Sequence, residues 1–247
     1  MAESLAMCRA AAADSICAIV ATPHRGNPQG NTTGTQVLKA VKKLKTELKK
    51  NKISIDILPG HEIRIDKNLI DDVEKGLALT VNNNKKYILL ELPFESVPFY
   101  VFDVLAQLKE KGITPIIAHP ERNAQIQADK RVMKRMIKSG ALSQITGGSL
   151  LGEFDPAARR SAVELLKGGL AHVIASDSHS ADRPPVLSEA IAEAAKIVGQ
   201  KKAKILVTDN PEKIVKKKER GCLALPSSTT NIKRIKKASR RARFGSY

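Results

Sequence analysis

The chain has 247 residues, 42% hydrophobic, which is enough for one full-sized core and gives no reason to expect a second. No apolar run approaches the roughly 18 residues of a membrane span, and three cysteines (Cys8, Cys17, Cys222) without CxxC spacing argue against a disulfide framework or a thiolate zinc site. The formal charge of +17 points to anionic partners, yet aromatics make up only 3% and none is interleaved with the basic clusters, so nucleic acid is not an expected partner.

In chain order, short apolar and β-branched runs alternate with stretches of helical periodicity, the pattern of βα units around a parallel sheet or barrel. "ICAIVAT" (16–22) is the first expected strand. A helix follows in "GTQVLKAVKKLKTELKKNK", where Val37, Leu38, Val41, Leu44 and Leu48 recur at three- and four-residue spacings among lysines. "SIDILPG" (54–60) and "YILLEL" (87–92) are the next strands. "VPFYVFDVLAQLKEKG" is a helix stopped by its glycine, and "TPIIA" (114–118) and "LSQIT" (142–146) are strands. "DPAARRSAVELLKGG" opens on an Asp-Pro cap and first-turn pair. "AHVIAS" (171–176) is the sixth strand, and "KILVT" (204–208) is a candidate for a shorter one. The last 17 residues, "NIKRIKKASRRARFGSY", hold seven Lys and Arg and no acid, and read as a tail after the loop-like "LPSSTTN". No signal-like segment begins the chain, and the expected location is the cytoplasm.

The residue beyond each strand carries the chemistry. Strand one runs into His24, strand two into His61 and Glu62, strand four into His119, and strand six into Asp177 and His179; strand three contains Glu91. In a βα barrel the C-terminal strand ends converge on one face, so these residues are expected to share a site. Histidines and carboxylates together suit a divalent metal such as Mn²⁺, Fe²⁺ or Zn²⁺, and more than four ligands allow two ions or more. Taken singly, each has a plainer reading: a lone His after a strand is more often a turn residue, and "SDSH" alone would serve as a helix cap. Glu91, between leucines, is harder to dismiss, because an unpaired carboxylate there is costly. His172 is read as core or sheet surface. Arg122 and Arg183, just beyond His119 and His179, offer guanidinium forks to a phosphate or simply form surface ion pairs.

"ATPH", "PGHEIRI", "YILLELP", "PIIAHPERN", "SQITGGSLLGEF" and "ASDSHS", in this order, closely resemble the bacterial protein-tyrosine phosphatases of the PHP (polymerase and histidinol phosphatase) superfamily, the CpsB/CapC type, over about residues 1–220. The resemblance implies a distorted (β/α)₇ barrel over residues 1–222, followed by a basic tail over 223–247. It implies Mn²⁺ as cofactor, two or three ions, with His24, Glu62, Glu91, His119, Asp177 and His179 as ligands and Arg122 as a phosphate-binding residue; Arg183 corresponds if one residue is missing after His179. The implied reaction is hydrolysis of phosphotyrosine by a metal-bridged hydroxide. The implied substrate is a membrane-associated tyrosine kinase controlling capsule or exopolysaccharide synthesis. A cysteine phosphatase is excluded directly, since Asp14, Pro23 and Ser228 stand where CxxxxxR would need its arginine.

The chain departs from the family pattern at its start. Family members open on a strand carrying His-x-His, whereas this chain opens at the helix "ESLAMCRAAAADS". The expectation is therefore a barrel lacking its first strand and two histidine ligands. The alternatives carried forward are a truncated fragment, a catalytically impaired phosphate-binding module, or another PHP phosphoesterase. The tail is read as a solvated extension or as a contact to an anionic membrane surface at the inner membrane face.

Overall fold

Parallel strands buried on both faces form the centre of the molecule. The computed structural model describes residues 1–28 and 30–216; the end of the expected phosphatase domain at residue 222 and the basic tail 223–247 lie outside the described residues. The elements in order are α1 (Ala2–Ala13), β1 (Ala18–Ala21), β2 (His24–Arg25), α2 (Gly34–Lys50), β3 (Asp56–Pro59), β4 (Glu62–Arg64), α3 (Leu69–Glu74), β5 (Tyr87–Glu91), α4 (Val101–Glu110), β6 (Thr114–Ala118), α5 (Ala124–Ala128), α6 (Lys130–Lys138), β7 (Leu142–Thr146), α7 (Gly147–Leu151), α8 (Pro156–Lys167), β8 (Val173–Ala175), α9 (Ser188–Val198), α10 (Gln200–Lys204) and α11 (Asn210–Val215). Six strands pair in the order β2-β4-β5-β6-β7-β8, all parallel, and β1 pairs with β3 alongside. The fold is α/β, as the alternation of strand and helix signals requires.

The period of two sorts the strand residues. Ile88 and Leu90 of β5, Ile117 of β6, Ile145 of β7 and Ile174 of β8 join Leu105 and Leu108 of α4, Met133 and Met136 of α6 and Leu165 of α8 in the main core. Leu89, Ile116, Ala118 and Val173 face the other way, against Val81 and Ile214. That second face, followed towards the strand ends, becomes the polar site.

Three expectations need correction. His24 and Glu62 do not follow strands one and two; they stand in the short strands β2 and β4, paired in register with each other. The reason is a break in each long strand. Pro23 has no N–H for the ladder. At Gly60 a Cβ would meet Val20 Cγ1 at 3.0 Å and Thr22 Cγ2 at 3.3 Å, so a side chain there would crowd the neighbouring strand. "KILVT" is not a strand: Ile205–Asp209 is a π-helical turn between α10 and α11. Ala203 and Leu206 bury three residues apart, the spacing of a helix face. Leu38, placed on the buried stripe of α2, is 43% exposed, while Val37, Val41 and Leu48 are buried.

Caps are well placed. Thr33 and Gln36 form a capping box at α2, and Asp155 accepts from Ala158 N at 2.8 Å. No side chain of its own caps α9; Asp14, from the end of α1, accepts from Leu187 N at 2.6 Å and Ser188 N at 3.0 Å. Among the described residues no helix is long and apolar enough to cross a membrane.

Candidate metal centre

β2, β4 and β5 lie side by side in register, and this brings His24, Glu62 and Glu91 together. Their candidate ligand atoms all lie within 4.8 Å of one another. His119 Nε2 lies 2.8 Å from Glu62 Oε1, and the His24 and His179 rings are 6.0 Å apart. Asp177 Oδ1 lies 3.7 Å from His179 Nδ1. All six side chains named from the sequence therefore lie in one neighbourhood, in which His24, Glu62 and Glu91 are close enough to share an ion. His119 and Asp177, the first at the end of β6 and the second beyond β8, adopt left-handed backbone (φ 31° and 51°), which is strained for non-glycine residues.

The two arginines meet this cluster from outside. Arg122 Nη1 lies 3.5 Å and Arg183 Nη2 3.6 Å from Asp177 Oδ2. Arg183 Nη2 also donates to the Asp177 carbonyl and touches His179 Nδ1, so this arginine is bound into its own loop. Arg122 is held otherwise: its guanidinium carbon lies 4.7 Å from the Phe94 ring centre and 4.5 Å from that of Phe154. Phe154 also faces Arg183 at 5.7 Å.

Burial is the largest single influence on both Glu62 and His119 and opposes charge on each, but the hydrogen bond between them and the surrounding charges together outweigh it. The Glu62 carboxyl is held below its ordinary value and the His119 imidazole above. Asp177 is pushed up by burial, only partly offset by the charges of His119, His179 and Arg183. His61, fully buried beside Glu62, is lowered to about 4 by burial and by Arg25. Its Nδ1 accepts from Leu79 N at 2.9 Å and its Nε2 lies 3.2 Å from Thr32 Oγ1, so it braces two loops beneath the site.

Sequence reading missed several residues here. Asn27 Nδ2 donates to Glu91 Oε2 at 2.6 Å and Arg64 Nη1 lies 3.3 Å from the same oxygen. Arg64 was findable, since it alternates with Glu62 on one strand face; Asn27, in a turn, carried no such signal. Glu121 stood in plain view within "HPERN". Its side chain is fully buried, and Oε1 accepts from Thr146 N at 2.8 Å and Ser149 Oγ at 2.7 Å, fastening the segment of Arg122 to the start of α7. Burial raises its carboxyl above the ordinary range.

The donor set fits a divalent cation. It is made of imidazole nitrogens and carboxylate oxygens without thiolate, which suits Mn²⁺, Fe²⁺ or Zn²⁺. Two of its atoms, His24 Nδ1 and Asp177 Oδ2, are buried without a hydrogen-bond partner. Two carboxylates, Glu62 and Glu91, beside the unsatisfied His24 ring nitrogen are costly unless a cation completes them.

The sequence model of the family described as "Capsular polysaccharide synthesis, CpsB/CapC" matches residues 1–216. The chain belongs to the CpsB/CapC family. Its homologues are tyrosine-protein phosphatases. YwqE of Bacillus subtilis (strain 168) is 39% identical over 179 residues, 72% of this chain and 70% of that protein. CpsB of Streptococcus pneumoniae is 29% identical over 219 residues, 86% of this chain and 90% of its own length. A solved structure from a study of these two proteins, which describes them as metal-dependent tyrosine phosphatases, superposes with a TM-score of 0.82 at 37% identity, covering 87% of this chain and 86% of that one.

Proposed function

We propose that this chain hydrolyses phosphotyrosine on protein substrates, with His24, Glu62, Glu91, His119, Asp177 and His179 holding Mn²⁺ and with Arg122 and Arg183 binding the phosphate. The observation that carries the reading is the junction of the two groups at Asp177. The Asp177 carboxylate, joined to the ligand cluster through His179, lies 3.5 Å and 3.6 Å from two guanidinium groups that offer forked donors to an anion. When bound, the metal would supply Lewis-acid charge and lower the pKa of water towards neutrality. The protein's own part is electrostatic and positional. Arg122, fixed between two rings, is preorganised to neutralise the non-bridging phosphate oxygens as charge develops. Arg183 reaches the same oxygens by leaving Asp177. The leaving tyrosinate, whose conjugate acid has a pKa near 10, needs little acid assistance.

The finer assignments belong to this reading. Six parallel strand positions, with β2 and β8 as outer strands of the main sheet, support a distorted (β/α)₇ barrel with one position unfilled by the described residues. The family's description names capsular polysaccharide synthesis; on this reading the phosphoprotein is a tyrosine kinase of capsule or exopolysaccharide synthesis. The basic segment 231–247 would hold the enzyme near the anionic membrane where such a kinase presents its phosphotyrosine.

Phosphate release from a phosphotyrosine peptide, with and without added Mn²⁺, tests the core of the proposal. Turnover that depends on Mn²⁺ and disappears in His119→Ala is the expected result. Release that persists in EDTA, or a folded chain that takes up Mn²⁺ and gives none, would overturn it.

A further inference from the structure

Phe99 is 86% exposed, far more than any other large hydrophobic side chain among the described residues. A single exposed apolar residue is ordinary; its setting here is not. The loop over residues 92–100 that carries it is tied down along its length. Asn123 Nδ2 donates to Pro93 O at 2.6 Å and Ser96 O at 3.0 Å, Ala124 N donates to Phe94 O at 2.6 Å, and Val97 N donates to Gln125 Oε1 at 2.8 Å. Tyr100 Oη donates to Ile65 O at 3.3 Å, joining the loop to the end of β4. Phe99 meets the Tyr100 ring edge-on at 5.4 Å, and Lys67 Nζ sits 5.1 Å and 5.4 Å from the two ring centres. The ring is thus presented outward by a braced loop.

The same loop enters the candidate site at its other end. Phe94 packs on Arg122 and lies 5.7 Å from the His119 ring. Four residues lie between Phe94 and Phe99, so their backbones are no more than about 18 Å apart. An extended substrate polypeptide spans that distance in about five residues.

We infer that Phe99, backed by Tyr100 and Lys67, docks the substrate polypeptide beside its phosphotyrosine, taking an apolar side chain within about five residues of the modified tyrosine. The inference rests on the phosphatase reading above and adds the feature that separates a protein substrate from a small aryl phosphate. A ring presented by a braced loop loses less entropy on contact than one on a free loop, and aromatic anchors carry a large share of binding energy at interfaces.

The test compares the wild-type chain with Phe99→Ser on two substrates: free O-phosphotyrosine and a ten-residue phosphotyrosine peptide with leucine three residues from the tyrosine. A fluorescent version of the peptide carrying phosphonomethyl-phenylalanine, which is not hydrolysed, reports binding by anisotropy. The expected result is a loss of about five- to tenfold in peptide affinity and in peptide kcat/KM, through KM, with O-phosphotyrosine turnover unchanged. Equal losses on both substrates would mean damage to the site, and unchanged peptide affinity would mean that the ring does no docking; either overturns the inference. Sedimentation velocity adds a third overturning outcome, a wild-type dimer that Phe99→Ser makes monomeric, since a second copy would then cover the ring. Failure of the phosphatase reading is seen separately, as a wild-type chain inert towards both O-phosphotyrosine and the peptide, and the phosphonate titration still decides the role of Phe99.

Discussion

Arg122 illustrates how much of this site is held by neighbours that are not ligands. Its guanidinium lies between Phe94 and Phe154 and contacts Asp177 only at 3.5 Å, so packing against the rings does much of the orienting. Cation–π contacts of this kind contribute about 0.5–1 kcal/mol at partly exposed positions. Phe154→Leu should therefore lower kcat/KM for phosphotyrosine peptide about two- to fivefold, with Phe154→Tyr restoring it. Arg122→Ala should cost on the order of 100-fold, because it removes the charge itself. Steady-state kinetics on the three variants, with circular dichroism to show that they fold, checks both. Glu121 works from below. Replacing it by alanine strands the amide of Thr146 and the hydroxyl of Ser149, at about 1–3 kcal/mol by urea denaturation; Glu121→Gln, which keeps a carbonyl acceptor, should lose less.

At the scale of elements, the caps show which contacts were local enough to read. Asp155 before Pro156, and Thr33 three residues before Gln36, are capping signals in one dimension, and both bonds are formed. The cap of α9 could not be read that way, because it comes from Asp14, 174 residues before Ser188. Asp14→Ala should destabilise the chain by about 1 kcal/mol in urea denaturation, as much as Thr33→Ala, although nothing near α9 in sequence announces the residue. The strands follow the same division. Runs such as "YILLEL" and "TPIIA" are found where expected, while the breaks that put His24 and Glu62 inside β2 and β4 depend on how closely two chains approach at Gly60.

For the whole molecule the candidate metal centre and the buried histidines set the response to conditions. If the six ligands act together, Mn²⁺ at about 100 times its dissociation constant should stabilise the chain by about 2.7 kcal/mol, read as a rise in Tm. Glu91→Gln should reduce that rise. pH acts through imidazoles kept neutral. Burial lowers the pKa of His172 from its ordinary value near 6.5, and its Nδ1 accepts from Ser143 N at 3.2 Å. A folded-state value below the unfolded one means that the unfolded chain binds the proton first. Stability is thus full above about pH 6.5 and falls as the pH drops towards the lower folded value. Denaturant titrations from pH 7.5 to 5.5 should show this contribution as the difference between the wild-type chain and His172→Asn; His61 acts in the same direction, and His119, whose value is raised, in the opposite one.

The amino-acid sequence by itself determined the alternation of strands and helices and the identity of the chemical groups. Periodicity and residue type are properties of a chain in one dimension, and His24, His61, Glu62, His119, Asp177 and His179 stand out where apolar runs stop, with Glu91 inside its strand; the family resemblance, not the periodicity, sets His61 aside. Only the tertiary structure decided which of their atoms meet, that Asn27 and Arg64 share Glu91, that Phe94 and Phe154 enclose Arg122, and that "KILVT" turns as a helix. Those outcomes depend on contacts between segments far apart in the chain, where strand register and the approach of two backbones, rather than any local preference, fix the neighbours.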